Sequence, residues 1–151
     1  MKTAKLLGLT LLGSASLIAA SAIAEPVSNG GQKLSTTLSG AAEVPGPGDT
    51  DGSGTFSATI NPGQGRLCYE LSATGIVAPT AAHIHTGTST QAGPVLVALA
   101  TPTGSTTFTS SGCITSLSRE DLDAIRKSPQ AFYVNVHNAD FPSGAIRGQL
   151  S

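Results

Sequence analysis

Thr55-Phe56-Ser57-Ala58-Thr59-Ile60-Asn61-Pro62-Gly63-Gln64-Gly65-Arg66-Leu67-Cys68-Tyr69-Glu70-Leu71-Ser72-Ala73 is the stretch that decides the fold class. Phe56, Ala58 and Ile60 alternate with hydroxyl residues before the turn, and Leu67, Tyr69 and Leu71 alternate with more polar residues after it. A period of two gathers each apolar set on one face of an extended strand, because successive side chains point to opposite sides. Asn61-Pro62-Gly63-Gln64-Gly65 between them combines residues that set or relax the backbone angles a chain reversal needs. The stretch predicts a β-hairpin of residues 55–60 and 66–73 with one buried face.

The same pattern continues on both sides. Residues 34–44 read as a strand, and 45–54 as a loop dense in Gly, Pro and Asp. Further strands are predicted at 81–85, 94–100, 105–109, 132–137 and 145–150. Short strands separated by turn signals at this spacing predict an all-β domain, a β-sandwich or barrel of Greek-key type. One short helix is signalled within 118–128. Ser118 is its N-cap, Asp121 its capping-box partner, and Leu117 against Leu122 its hydrophobic staple. Glu120, Asp121 and Asp123 near the start and Arg126 and Lys127 near the end suit the helix dipole, and Pro129 stops it.

The first residues have a different character. Lys2 and Lys5 precede a small and apolar run over 6–20, and Ala22-Ile23-Ala24 supplies the small-x-small pattern of a cleavage site. This predicts a signal peptide over 1–24; a retained anchor is the alternative, against which the shortness of the run and its Ser and Gly content count. Glu25 stands where a lipoprotein would carry Cys. Residues 25–33 read as a flexible lead-in, 34–151 as one domain, and the destination as the periplasm or the medium. No later segment is apolar enough to span a membrane.

Cleavage would leave six basic against nine acidic residues, a formal charge of −3. With no Trp and no basic cluster interleaved with aromatics, the chain is not expected to bind nucleic acid or an anionic membrane. Cys68 and Cys113 are an even pair, and in an oxidising compartment they predict a disulfide. Two metal-binding thiolates are the competing reading, disfavoured by the spacing and the compartment.

The chain has three histidines, His83, His85 and His137, and all fall in predicted strands. Residues two apart on a strand share a face, roughly 6.5 Å apart at Cα, so His83 and His85 project together while Ile84 enters the core. On the later strand Phe132, Val134 and Val136 take the apolar face, leaving Tyr133, Asn135 and His137 on the other. The last strand repeats the pattern, with Ile146 and Leu150 inward and Arg147 and Gln149 outward. If these strands are neighbours, the three imidazoles converge.

Glu43-Val44-Pro45, Ala82-His83-Ile84-His85-Thr86-Gly87, Tyr133-Val134-Asn135-Val136-His137 and Ile146-Arg147-Gly148-Gln149-Leu150, in this order, make the chain resemble the CHRD domain family, named after the repeats of chordin. The resemblance spans about 34–150 and implies an all-β, immunoglobulin-like or barrel-like fold; bacterial members look like short exported proteins of one such domain. The chain departs at Ala145, where the family commonly carries Glu, so a role for that carboxylate does not carry over. A fainter likeness joins the His-x-His strand and the late Val-x-His to the copper half of copper/zinc superoxide dismutases. Those enzymes need a bridging histidine and a separate zinc set, which three histidines cannot supply.

Two readings of the histidines follow. One is a mononuclear site of His83, His85 and His137 for copper or zinc, with an open position, serving metal handling or redox chemistry. The other is a structural polar cluster in which His83, His85, Asn135 and Arg147, with Tyr133 nearby, tie strands together. Glu43 and Arg147 read as a buried ion pair or a rim salt bridge. There is no Gly-x-Ser-x-Gly elbow and no Walker lysine, and the acidic residues fall mostly in loops and on the helix, which leaves glycoside hydrolysis by paired carboxylates a weak third choice. The expectation is an exported, non-catalytic binding module for a protein, glycan or matrix ligand, with a three-histidine metal protein as its rival. Copper or zinc is the one cofactor the residues would accommodate.

Overall fold

The computed structural model describes residues 31–151; the expected signal peptide and most of the lead-in lie outside the described residues. In chain order the elements are β1 (Gln32–Ser39), β2 (Ser53–Asn61), β3 (Arg66–Thr74), β4 (Pro79–Thr86), β5 (Val95–Leu99), β6 (Thr103–Gly104), β7 (Thr107–Ile114), α1 (Arg119–Lys127), β8 (Phe132–Asn138) and β9 (Ile146–Gln149). The strands form one sheet, ordered β5-β4-β8-β9-β1-β2-β3-β7-β6, with every neighbouring pair antiparallel.

A flat sheet of this order would hold β5 and β7 far apart. Instead Leu99 and Phe108, near opposite edges, belong to one core with Phe56, Ile84, Val134 and Ile146. The Ala100 N–H, just past β5, donates to Tyr69 Oη on β3 at 2.8 Å. The sheet therefore curls until its halves face each other as a sandwich, the all-β fold expected. Its driving force is the burial of the alternating apolar sets, at roughly 25 cal/mol per Å² of apolar surface.

Local chemistry explains the elements. The hairpin forms in the register Phe56↔Leu71 and Ala58↔Tyr69. At its turn Asn61 Oδ1 accepts the Gln64 N–H at 3.0 Å, and Gly65 takes the left-handed φ of 64°. Helix α1 carries its capping box as read: Ser118 Oγ accepts the Asp121 N–H, and Asp121 Oδ2 accepts the Ser118 N–H. Leu117, Leu122 and Ile125 seat it on the core. Cys68 and Cys113 face each other across β3 and β7 and are joined in a disulfide. On the outer face of β1, β2, β3 and β7, rows such as Thr37, Thr55, Ser72 and Thr109 present hydroxyls away from the core, which accounts for much of the Ser and Thr content.

Three boundaries differ from the sequence reading. The lead-in ends early, since Gln32 and Lys33 already pair with Ile60 and Thr59. The first strand stops at Ser39, because Gly40–Ala42 turns as a 3-10 helix that packs Gly40 against the Asp49 backbone, where any Cβ would collide. Residues 105–109 straddle a turn: β6 ends at Gly104, and β7 runs on from Thr107 to Ile114, held by eight pairings with β3.

Candidate metal centre

Strands β4 and β8 are neighbours, with His83 opposite Asn135, His85 opposite Tyr133 and Ala81 opposite His137. Ile84, Val134 and Val136 are fully buried in the core, which turns His83, His85 and His137 to the other face. His137 is diagonal to His83, a separation imidazoles can bridge. A bulge where Ile84 pairs with Val97 but His85 with Val95 lies beside the pair; such irregularities re-aim side chains. Ring centroids stand 4.9 Å apart for His83 and His137, 5.4 Å for His83 and His85, and 6.2 Å for His85 and His137. One nitrogen from each ring lies within 4.8 Å of the other two.

Hydrogen bonds assign the ring protons. His85 Nδ1 lies 2.9 Å from Gly93 O, and His137 Nδ1 lies 3.1 Å from Pro142 O. A carbonyl oxygen only accepts, so both Nδ1 atoms carry hydrogen and both Nε2 atoms keep a lone pair. His137 Nε2 accepts from His83 Nδ1 at 3.0 Å, whereas His85 Nε2 is buried with no partner. Burial, with lesser contributions from His137 and His85, holds His83 below the usual imidazole pKa. Burial likewise lowers His137, against the opposing bond to Pro142 O. Burial thus favours the neutral form of His83 and His137, the form that binds metal.

Around the histidines the expected polar cluster is differently wired. At the His85, Tyr133 and Arg147 end the strand face is covered: the loop over residues 87–93, between β4 and β5, lies across it as a strap, while His83 and His137 are half-buried. Arg147 Nη2 donates to Thr88 O at 2.6 Å and to Gln91 O at 2.9 Å, and Gln149 Nε2 donates to Gly87 O at 2.8 Å. Tyr133 Oη accepts the Gly93 N–H at 3.2 Å. Arg147 is only 1 % exposed, so its outward placement leads under the strap and not to water. The Tyr133 ring stacks on His85 at 4.7 Å and 7°, and the Arg147 guanidinium lies 3.5 Å from the Tyr133 centroid. Since β8 separates β4 from β9, Tyr133 has His85 on one side and Arg147 on the other.

Two expectations are corrected here. Glu43 and Arg147 form no salt bridge; Arg147 Nη2 gives its donors to strap carbonyls, while Arg147 Nη1 and Glu43 Oε1 are each buried without a partner. Burial raises the Glu43 carboxyl to about 7, against the opposing pull of Arg147 and of the Val44 backbone. Nor does Asn135 tie strands through its side-chain oxygen, which is buried without a partner; His83 on β4 does reach β8, through His137. The sequence reading missed Gly93, Pro142 and Gln149. The first two act through carbonyls, which every residue has, and only Gly93 left a trace. A Cβ there would strike Thr86 O, so the strap can descend to His85 only with Gly.

A small curled-sheet domain with three imidazoles gathered on its polar face is the class these observations define. The chain belongs to the CHRD domain family, whose model matches residues 34–150. No curated protein and no solved structure matches it.

Proposed function

We propose that this CHRD domain is an exported module that binds a single first-row transition-metal ion through His85 Nε2, His137 Nε2 and His83 Nδ1. The observation that carries the reading is the orphaned His85 Nε2. It is a buried acceptor, fixed as an acceptor by its own Nδ1–H bond, and it faces two other imidazoles. Leaving such a group without a partner costs about 1–3 kcal/mol. A cation facing three neutral imidazoles would remove that cost.

The residues fit a metal. Bonds of about 2.1 Å in a tetrahedron place ligand atoms about 3.4 Å apart, which small side-chain rotations reach from the present span. His85 and His137 each give their second nitrogen to a carbonyl, the support that fixes ring orientation at metal sites. His83 Nδ1 must give up the proton it shares with His137 Nε2, either to solvent or to its own Nε2. Three imidazoles suit Cu(II) and Zn(II), with copper favoured by the Irving–Williams order, and a bound ion would keep a position open to an outside ligand. The disulfide supports an oxidising compartment and so the export read from residues 1–24.

Calorimetric titration of the disulfide-intact protein with Cu(II) and Zn(II) tests the proposal. The expected result is one ion per chain, tighter for copper, with binding lost in His85→Ala and His137→Ala. Equal affinity for wild type and both variants returns the histidines to a structural role.

A further inference from the structure

Resting on the metal-binding reading, we infer that Arg147 is a positioning residue for the metal centre: it sets the tautomer and orientation of His85 from the far side of Tyr133, through the strap. Its side chain makes no hydrogen bond to a histidine. It acts by two routes that meet at His85.

The first route is the backbone. The loop over residues 87–93 has four carbonyl groups turned down onto the sheet, and each is held by side chains: Gly87 O by Gln149, Thr88 O and Gln91 O by Arg147, and Gly93 O by His85 with a longer bond from Tyr133 Oη. The loop is short and its ends are anchored, Thr86 N–H to Pro94 O and Gly87 N–H to Ala131 O. The height of Gly93 O above His85 is therefore set by the bonds of Gly93 to Tyr133 Oη and by how firmly the middle of the loop is drawn down. Among the described residues, Arg147 is the side chain from the sheet that bonds the backbone of that middle, and its two contacts there are the charge-assisted ones. Without it, Gly93 O can lift, and His85 Nδ1 loses the acceptor that keeps Nε2 free for a metal.

The second route is the stack. The guanidinium against one side of Tyr133 leaves that ring no room to retreat, so its other face presses on His85 at 4.7 Å. Planar guanidinium stacking is a property of Arg that Lys does not reproduce. Tyr133 is in turn held by the Gly93 N–H at its hydroxyl, so both routes close on the same loop residue.

The assignment is tested in Arg147→Met and Arg147→Lys, first without metal. Long-range proton–nitrogen NMR reads the His85 tautomer directly. Wild type is expected to show a single Nδ1–H form, Arg147→Met a mixture of both forms, and Arg147→Lys an intermediate result. Cu(II) titration follows. Losing a supporting residue of this kind costs about 10- to 100-fold in metal affinity, the range expected for Arg147→Met. Thermal melts establish which variants are folded. If Arg147→Met does not fold, Arg147→Lys carries the test, with a loss of about threefold or more expected because one ammonium replaces a planar fork. A folded Arg147→Met, or failing it a folded Arg147→Lys, with the wild-type tautomer and wild-type copper affinity overturns the inference. Absence of copper binding in the wild type overturns the metal reading instead, and the NMR comparison still decides whether Arg147 positions His85.

Discussion

Replacing Glu43 by Gln should change how stability depends on pH. The carboxyl is 7 % exposed, Oε1 has no hydrogen-bond partner, and a Cβ on Gly144 would collide with it, so an isosteric amide fits and little else does. Burial raises its pKa from 4.5 to about 7. A group whose pKa is raised by folding contributes fully below its unfolded value, here 4.5, and that contribution is lost as pH rises through 7. At about 1.36 kcal/mol per unit, charging Glu43 in the folded protein costs up to about 3 kcal/mol. Gln is uncharged throughout, so the variant should match wild type near pH 4 and exceed it by up to about 3 kcal/mol at pH 8. Urea denaturation of both proteins at intervals between pH 4 and 8.5 measures the difference, in which the contributions of His83 and His137 cancel. A flat difference, or a variant that weakens as pH rises, would refute the reasoning, since it would mean that Glu43 is an ionised partner of Arg147 in the folded state.

Four other outcomes are expected. Ser118→Ala removes the N-cap acceptor of α1 and should lower stability by about 1 kcal/mol, seen as a reduced melting temperature with unchanged metal binding. Replacing both Cys68 and Cys113 by Ser should cost about 2–4 kcal/mol, measured as a lower denaturant midpoint than the oxidised protein shows. Gly93→Ala pushes the strap off Thr86 O, and copper affinity should drop about tenfold or more while far-UV circular dichroism is retained. Protonation of His83 and His137, which opposes metal binding, should occur below the ordinary imidazole value of 6.5 because burial depresses both; NMR titration of their ring protons with midpoints above 6.5 contradicts those shifts.

Where alternation and capping act locally, the sequence was legible: the hairpin, α1 and the inward set of β8 stand where the spacing put them. The shared face of His83 and His85 was equally open to reading, since a strand has only two faces. That His137 joins them depends on β4 pairing with β8 across a connection that holds three strands and a helix, a long-range choice no local pattern encodes. Least legible was the cover. Alternation marks Arg147 and Gln149 as facing away from the core but cannot say whether water or a loop meets them there. Glu43 and Arg147 looked like ion-pair partners by charge, yet Arg147 Nη2 turns to strap carbonyls and Nη1 is left without a partner.

Sheet order has a consequence for assembly. Strand β9 is the seam: on one side it pairs with β8 and on the other with β1, through Ser39 and Arg147. Without β9 the remaining eight strands separate into a group of three, β5-β4-β8, and a group of five, β1-β2-β3-β7-β6. The five can zip up progressively as their hairpins emerge, while the three that carry the histidines stay unjoined to them until the last strand arrives. Chain synthesised or threaded through a pore from the N-terminus therefore cannot close its curl, or bring Arg147 beneath the strap, before nearly all of it is free.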